Sequence, residues 1–274
     1  GVLADRAQHL VRTGAPRRAQ DDLAAALAIY EPRGMVRRAG QLHMLLAETH
    51  VAAGDLDAAL ASATRGVAAL RQVGTDVVLS TALEALGCVL LVRGETDGAH
   101  RRFLEAFDVA CQTGNRRSEC SVRGKLGVTH LLRGDAEVAL EALETSEAWY
   151  RERQMPIHLG ASAVDRGVVL AALGREGDAR RAFETAVRHL GAPEAETSTG
   201  RMHRLCRLAG ELHLMRDRAV DEATIRARGD EGLRALGVDG TGAVEDMATR
   251  VATVLVRHAV APLRRSGPAP APPG

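Results

Sequence analysis

Two stretches of the sequence decide the fold: LGVTHLLRGDAEVALEALETS at residues 126–146 and RGVVLAALGREGDARRAFETAV at residues 166–187. They align without a gap at an offset of 40 residues, so that Gly134 of the first falls on Gly174 of the second. In each stretch a run with apolar residues at helical spacing ends at the glycine, and a second such run follows at once. The pattern predicts two helices joined by a tight turn.

The same 40-residue spacing extends through most of the chain. Glycines recur at positions 14, 54, 94, 134 and 174, and small residues stand seven before, five after and twelve after each of them. These columns are Ala7, Ala47, Gly87, Gly127 and Gly167; Ala19, Ala59, Ala99, Ala139 and Ala179; and Ala26, Gly66, Ala106, Ser146 and Ala186. Small residues at fixed offsets let helices pack closely, so the columns predict a helical repeat protein.

A second, looser turn is predicted between successive units. It is marked at the same period by Gly34, Gly74 and Gly114, and Gln154 breaks this series. Asp55 and Asp135 directly follow a turn glycine and are predicted to cap the next helix, while Pro156 stands where a helix would begin. No alternating run of β-branched residues competes with the helical pattern.

The repeat resembles the tetratricopeptide repeat (TPR) family, and the resemblance covers about residues 2–190. It implies an all-α, right-handed superhelical solenoid with five TPR units in residues 1–190. The unit is longer than the usual length of about 34 residues, which implies longer helices, and Arg166 occupies a column otherwise held by Leu46, Leu86 and Leu126. The 40-residue form is similar to TPR arrays of bacterial transcriptional regulators and signalling ATPases, and also to those of some eukaryotic scaffold proteins; the Arg-rich, nearly Lys-free composition favours the bacterial group.

The register decays after residue 190. Residues 191–240 are predicted to form a degenerate sixth helical pair, because terminal repeats are usually atypical. Residues 241–265 are predicted to form a C-terminal capping helix and residues 266–274 a Pro-rich disordered tail. The apolar side of the capping helix would carry Val244, Met247, Val251, Val254 and Leu255.

Composition argues against several classes of function. Aromatic residues make up 2% of the chain and the net charge is +1, which leaves little to build a base-stacking surface or a polyanion footprint. The four cysteines have no CxxC spacing, so neither a zinc site nor a disulfide framework is expected. We therefore expect no enzyme activity, no catalytic residues, no metal, no cofactor and no direct contact with nucleic acid. The apolar stretch 77–92 includes Glu84 and is predicted to be a buried helix, so we expect a cytoplasmic protein without a membrane segment.

The resemblance also implies where a partner would bind. In a TPR array the first helix of each unit lines the concave side, and positions around its small residue face the groove. The expected lining is mostly apolar, with two carboxylates, and consists of Met44, Glu48, Val51, Glu84, Cys88, Leu91, Val128, Leu131, Val164 and Val168. These residues would either pack against neighbouring helices or form a trough for an apolar helix, an extended peptide or a lipid-like ligand.

The expected function is binding. We interpret the chain as a non-catalytic protein- or peptide-binding module, the sensor or interaction region of a bacterial regulatory protein. Two alternatives stay open: a stand-alone adaptor that scaffolds proteins or self-associates as a homodimer through its end helices, and an accessory repeat region of a larger enzyme such as a protease. The cochaperone type of TPR, which holds a terminal carboxylate with Lys, Arg and Asn, is not expected, because the chain has one Asn and one Lys. Since the chain begins at Gly1 without Met, a fragment of a longer protein is one expectation.

Overall fold

The computed structural model describes residues 6–7, 10, 16–74, 76–191, 198–238 and 247–261. Within these residues it contains twelve named α-helices and no strand. In chain order the helices are α1 (Pro16–Tyr30), α2 (Val36–Ala53), α3 (Leu56–Val73), α4 (Val77–Val92), α5 (Thr96–Gln112), α6 (Arg116–Leu132), α7 (Ala136–Glu152), α8 (Pro156–Ala172), α9 (Glu176–Leu190), α10 (Ser198–Asp217), α11 (Glu222–Ala235) and α12 (Met247–Val260).

The helices stack in pairs, as the repeat predicts. We call the first helix of each pair its A helix: α2, α4, α6, α8 and α10, followed in turn by α3, α5, α7, α9 and α11. Each helix from α1 to α11 contacts the next one along the chain, and each A helix also contacts the A helix of the next pair. The first predicted turn, at residue 14, lies outside the described residues.

The small-residue columns are where neighbouring helices approach most closely, and all their members are buried. A Cβ atom on Gly87 would lie 2.5 Å from the ring of Phe103, and one on Gly167 would lie 2.6 Å from the ring of Phe183. The large residue nine positions after the turn therefore fills the space left by the small residue seven positions before it. This explains why the repeat keeps small residues at these positions.

The turns follow the prediction, with one exception in the capping. The four described turn glycines have φ between 69° and 93°, and Gln154 holds the corresponding left-handed conformation in the looser turn, with φ 53°. The left-handed region costs a non-glycine residue roughly 1 kcal/mol, so packing of the flanking helices maintains the turn there. Asp55 caps α3 by accepting a 3.0 Å hydrogen bond from the Ala58 amide. The predicted side-chain cap by Asp135 was wrong, since Asp135 holds the N-cap position without a capping hydrogen bond.

Arg166 departs from a leucine column because it has an ionic partner. Its Nε donates a 2.7 Å hydrogen bond to Glu147, whose side chain is only 3% exposed. Burial raises the pKa of Glu147, and Arg166 acts in the opposite direction by stabilising the carboxylate. The pair replaces an apolar contact between α7 and α8 with a partly buried ion pair.

The sixth pair is present in altered form. Helices α10 and α11 meet at a turn where Ala219, with φ 58°, takes the role of the missing glycine. This turn comes 45 residues after Gly174, so the register has slipped by five residues. Within the predicted C-terminal segment 241–265, residues 247–260 form α12, and Val251 and Leu255 of the predicted apolar side are buried. The rest of that segment and the predicted tail 266–274 lie outside the described residues, apart from residue 261. Its position differs from that of a simple end cap, since α12 contacts α2 and α4 as well as α10 and α11.

Candidate binding groove

The contacts of α12 show that the stack curves toward its A-helix side. Neighbouring packed helices lie about 8–10 Å apart, so four steps from α2 to α10 would span about 32–40 Å in a straight stack. Helix α12 has 14 residues, and a helix of that length is about 21 Å long. It nevertheless contacts both α2 and α10. The A helices therefore line a concave face, and α12 lies across it.

The ten residues predicted to line the groove divide into two groups. Glu48 is exposed, and Met44 and Glu84 are partly exposed. The other seven, which we call the buried half of the concave face, are at most 8% exposed: Val51, Cys88, Leu91, Val128, Leu131, Val164 and Val168. That any of the ten contacts a partner stays a prediction. The structure shows that most of the apolar lining is already packed against protein.

Helix α12 shares one continuous apolar core with the buried half. Val251, Leu255 and Val256 of α12 are 0–7% exposed and belong to the same cluster as Val51 and Leu91. The remaining buried members of α12 are alanines and threonines. Side chains of this size allow α12 to lie close to α2, α4 and α10, so the part of the groove beside these helices is occupied by the chain itself.

The two ends of α12 are attached to opposite ends of the stack. Arg250 Nη2 lies 3.6 Å from the position that a Cβ on Gly54 would take, next to the end of α2. At the other end, Arg216 Nη2 donates a 2.7 Å hydrogen bond to the carbonyl of Ala261. A Cβ on Gly229 of α11 would lie 2.4 Å from Val260 Cγ1. The absence of a side chain at Gly229 thus lets the end of α12 approach α11.

Two histidines meet in the contact between α10 and α12. The rings of His213 and His258 have centroids 5.7 Å apart, and His213 is 8% exposed. Burial lowers the pKa of His213 to about 3, with further lowering by His258 and Arg216. Burial and Arg216 also lower the pKa of His258. Both imidazoles are therefore neutral at pH 7, and the contact favours their uncharged forms.

The other part of the concave face is polar and accessible. We define this open half by five partly exposed residues of α4, α6 and α8: Glu84, Ser121, Gly124, Lys125 and Asp165. No atom lies within 4 Å of the position that a Cβ on Gly124 would take, so there is free space above α6. Ser121 Oγ donates a 2.8 Å hydrogen bond to Glu84 and ties α6 to α4.

The charged groups of the open half influence one another. Burial alone would lower the pKa of Lys125, but the negative potential of neighbouring carboxyl groups that include Asp165 and Glu84 opposes it, and the pKa is raised. Burial raises the pKa of Asp165 to about 6, although Lys125 opposes this change. The Lys125 ammonium is therefore charged at neutral pH and lies near two carboxyl groups on the neighbouring helices.

Glu48, on α2, is another carboxyl group among the residues predicted to line the groove. Its side chain is exposed to solvent, yet burial by the surrounding protein raises its pKa. An exposed group that is still desolvated is what a concave surface produces, because water reaches the group from one side only.

Sequence reasoning missed Lys125 and Asp165 as parts of the concave face. The family register places groove residues three before, one after and four after the small residue of each A helix, whereas Lys125 and Asp165 lie two before Gly127 and Gly167. The available signal was that Lys125 is the only lysine in the chain. Among the described residues, no group of three or more His, Cys, Asp or Glu side chains is placed to hold a metal ion. Burial raises the pKa of Cys88 to about 12, so its thiol is a poor nucleophile.

Several solved structures have a similar architecture. The chain is similar to the crystal structure of a Rap protein complexed with competence and sporulation factor, with TM-score 0.64, 13% identity, and coverage of 86% of this chain and 64% of that one. It is also similar to the Rap conjugation gene regulator of the plasmid pLS20 in complex with the Phr* peptide (TM-score 0.62, 13% identity, 94% of this chain and 72% of that one). A third similar structure is pilF from Pseudomonas aeruginosa (TM-score 0.55, 17% identity, 85% of this chain and 90% of that one).

These similar structures identify the architecture of the chain as a helical-repeat solenoid. In particular, the chain has the TPR-type fold that its sequence resembles. The chain spans 64% of the length of the first Rap protein. No protein-family model matches the sequence. No curated protein matches it either. In the described part of the chain, no helix has the length and apolar character needed to cross a bilayer.

Proposed function

We propose that this chain is a non-catalytic peptide-binding module of a bacterial regulatory protein, and that an extended peptide binds on the open half of the concave face. The observation that carries the proposal is the accessible row of polar groups on α4, α6 and α8, beside the free space above Gly124. An extended peptide needs polar partners for its backbone and space for its side chains, and this surface offers both.

Two further observations support the proposal. The seven apolar residues of the buried half are already packed inside the protein, with α12 lying against α2 and α4, so the accessible surface suits a polar, extended ligand better than an apolar helix. The similar Rap regulator of pLS20 was solved in complex with a peptide. We also propose a cytoplasmic location, which the four free cysteine thiols support. Self-association through the end helices stays a prediction.

The test uses peptides selected for binding to the whole chain. A phage-displayed random library of dodecapeptides is panned on the immobilised protein, and enriched peptides are synthesised with a fluorescent label. Their affinities are then measured by fluorescence anisotropy for the wild type, Gly124→Trp and the matched control Gly124→Ala. Circular dichroism melting confirms that both variants fold.

The proposal predicts that Gly124→Trp weakens binding at least about tenfold, or about 1.4 kcal/mol, because the indole fills the free space above α6. The small side chain of Gly124→Ala should change the affinity less than about threefold, or under about 0.7 kcal/mol. The proposal would be contradicted by enriched peptides that bind all three proteins equally, or by a library that yields no peptide specific for the folded chain.

A further inference from the structure

The open half presents charges of alternating sign on three successive A helices. Glu84 lies on α4, Lys125 on α6 and Asp165 on α8, and all three side chains are partly exposed. Each A helix contacts the next, so the three charges follow one another along the concave face. A row that reads negative, positive, negative is complementary to a ligand with the opposite order.

The middle position of the row has unused hydrogen-bonding capacity. Lys125 makes no hydrogen bond or ion pair within 4 Å with any described residue, although Glu84 and Asp165 are near enough to raise its pKa. An ammonium group has three donors, and protein atoms crowd this one so that burial opposes its charge. A carboxylate of a ligand would supply the missing acceptor in a partly desolvated place, where a charge-assisted hydrogen bond is strong.

The outer positions favour cations. Glu84 uses one oxygen to accept the hydrogen bond from Ser121, which fixes the orientation of its carboxylate. Asp165 accepts no hydrogen bond from a described residue, and Lys125 favours its ionised form. A basic side chain placed at each end of the row would meet one of these carboxylates. The central acidic group of the ligand would at the same time lie away from the carboxylates of Glu84 and Asp165.

The spacing of the row sets the length of the ligand. Two steps between packed A helices span about 16–20 Å. An extended chain covers about 3.3–3.6 Å per residue, so five or six residue steps would span the row. Opposite charges in the ligand would then be about three residues apart.

We propose that the row formed by Glu84, Lys125 and Asp165 selects an extended peptide segment with a basic, an acidic and a basic residue at intervals of about three residues. This inference rests on the proposed function and names the partner of the same site by its charges. The ligand is a segment of another polypeptide, held by three opposite-charge contacts across α4, α6 and α8.

The test uses three labelled heptapeptides of otherwise neutral, flexible residues. The first has Arg at both ends and Asp in the middle, the second has Arg at all three places, and the third has the composition of the first with its charged residues adjacent. Affinities are measured by fluorescence anisotropy for the wild type, Lys125→Glu and Lys125→Met at low and at physiological salt concentration.

The wild type is expected to bind the first peptide at least about tenfold more tightly than either of the others. Lys125→Glu should reverse this preference in favour of the peptide with three Arg residues, and Lys125→Met should remove the preference for a central acid. A reversal of specificity is a result that a merely structural role of Lys125 would not produce.

Any of three results would overturn the inference. The wild type could bind the three peptides equally, Lys125→Glu could keep the wild-type preference for the first peptide, or none of the designed peptides could bind. If peptides from the random library still bind in a manner that depends on Gly124, the proposed function stands and only the charge rule fails. If the affinity of the library peptides does not depend on Gly124 either, the proposed function and the charge rule both fail.

Discussion

The buried half and the open half lie on the same A helices but differ in what they do for the molecule. The buried half is apolar, lies mostly toward the turns, and shares a core with α12. The open half lies mostly at the middle of α4, α6 and α8 and carries charges that make few hydrogen bonds with the described residues. If the open half binds a peptide as proposed, a substitution should affect stability in one half and binding in the other.

The largest expected effect comes from detaching α12. Leu255→Asp would place a carboxylate at a site that is 1% exposed in the apolar core. Loss of a buried leucine alone typically costs 2–5 kcal/mol, and burial of an unpaired charge adds to it, so we expect about 4 kcal/mol or more of destabilisation. The measurement is urea denaturation. Arg257→Asp, at an exposed position of the same helix, serves as the control and should cost under about 1 kcal/mol.

If Leu255→Asp were as stable as the control, α12 would not be docked in solution and the distinction between the two halves would be lost.

The next effect is a pH dependence of the α10–α12 contact. His213 has a folded-state pKa of about 3, below the value of about 6.5 for a free histidine. The unfolded state therefore binds more protons between these values, and stability falls as the pH drops below about 6.5. Each pH unit costs about 1.4 kcal/mol, so His213 alone should remove about 2 kcal/mol between pH 7.5 and pH 5.

The measurement is the unfolding free energy as a function of pH for the wild type and for His213→Gln. The variant should lose about 2 kcal/mol less than the wild type over that range. Identical pH profiles would show that the His213 site is open to water, contrary to the close contact with His258 and Arg216.

A smaller effect is expected from the same substitution at two glycines, one in the contact between α11 and α12 and one in the open half. At Gly229 an added Cβ would lie 2.4 Å from Val260, so Gly229→Ala should overpack the α11–α12 contact and destabilise by about 1–2 kcal/mol. At Gly124 nothing lies within 4 Å, so Gly124→Ala should stabilise the helix by about 0.5–1 kcal/mol through its higher helix propensity. Thermal or urea unfolding of both variants measures this. Changes of the same sign would contradict the assignment of one glycine to a packed contact and the other to free space.

The smallest expected effect on stability is that of Lys125→Met. Lys125 is partly exposed and makes no direct ion pair with a described residue, so we expect a change of under about 1 kcal/mol in urea denaturation. A loss of several kcal/mol would mean that the ammonium holds α4, α6 and α8 together, and that the charges of the open half serve the fold.

The fold was predictable because the sequence pattern that indicates it recurs along the chain. Gly87, Gly127 and Gly167 each meet a large partner at the same offset, and repetition every 40 residues distinguishes this pattern from chance. Details that occur only once were less predictable. The sequence suggests a cap at Asp135 that does not form, and it does not reveal that Gln154 keeps the left-handed turn. Whether such a cap or turn forms depends on local packing, which the spacing of residues in the sequence does not indicate.

The candidate site was only partly predictable. Val51 and Leu91 were correctly assigned to the A helices, but α12 lies beside them through a contact between distant parts of the chain, which leaves no periodic trace in the sequence. The significance of Lys125 arises only when α4 and α8 bring Glu84 and Asp165 to its sides. A charge on one helix does not show which charges will be its neighbours on the next.

Photo-crosslinking tests whether a peptide partner binds on the open half while α12 keeps its place. A library-selected or basic–acidic–basic peptide that carries a central benzophenone is irradiated with the whole chain, and the attachment sites are mapped by mass spectrometry. Our account predicts attachment near Glu84, Gly124 and Asp165, with none to α12. Attachment to α12 or to the ends of α2 and α4 around Val51 and Leu91 would show that the partner displaces α12, and would contradict it.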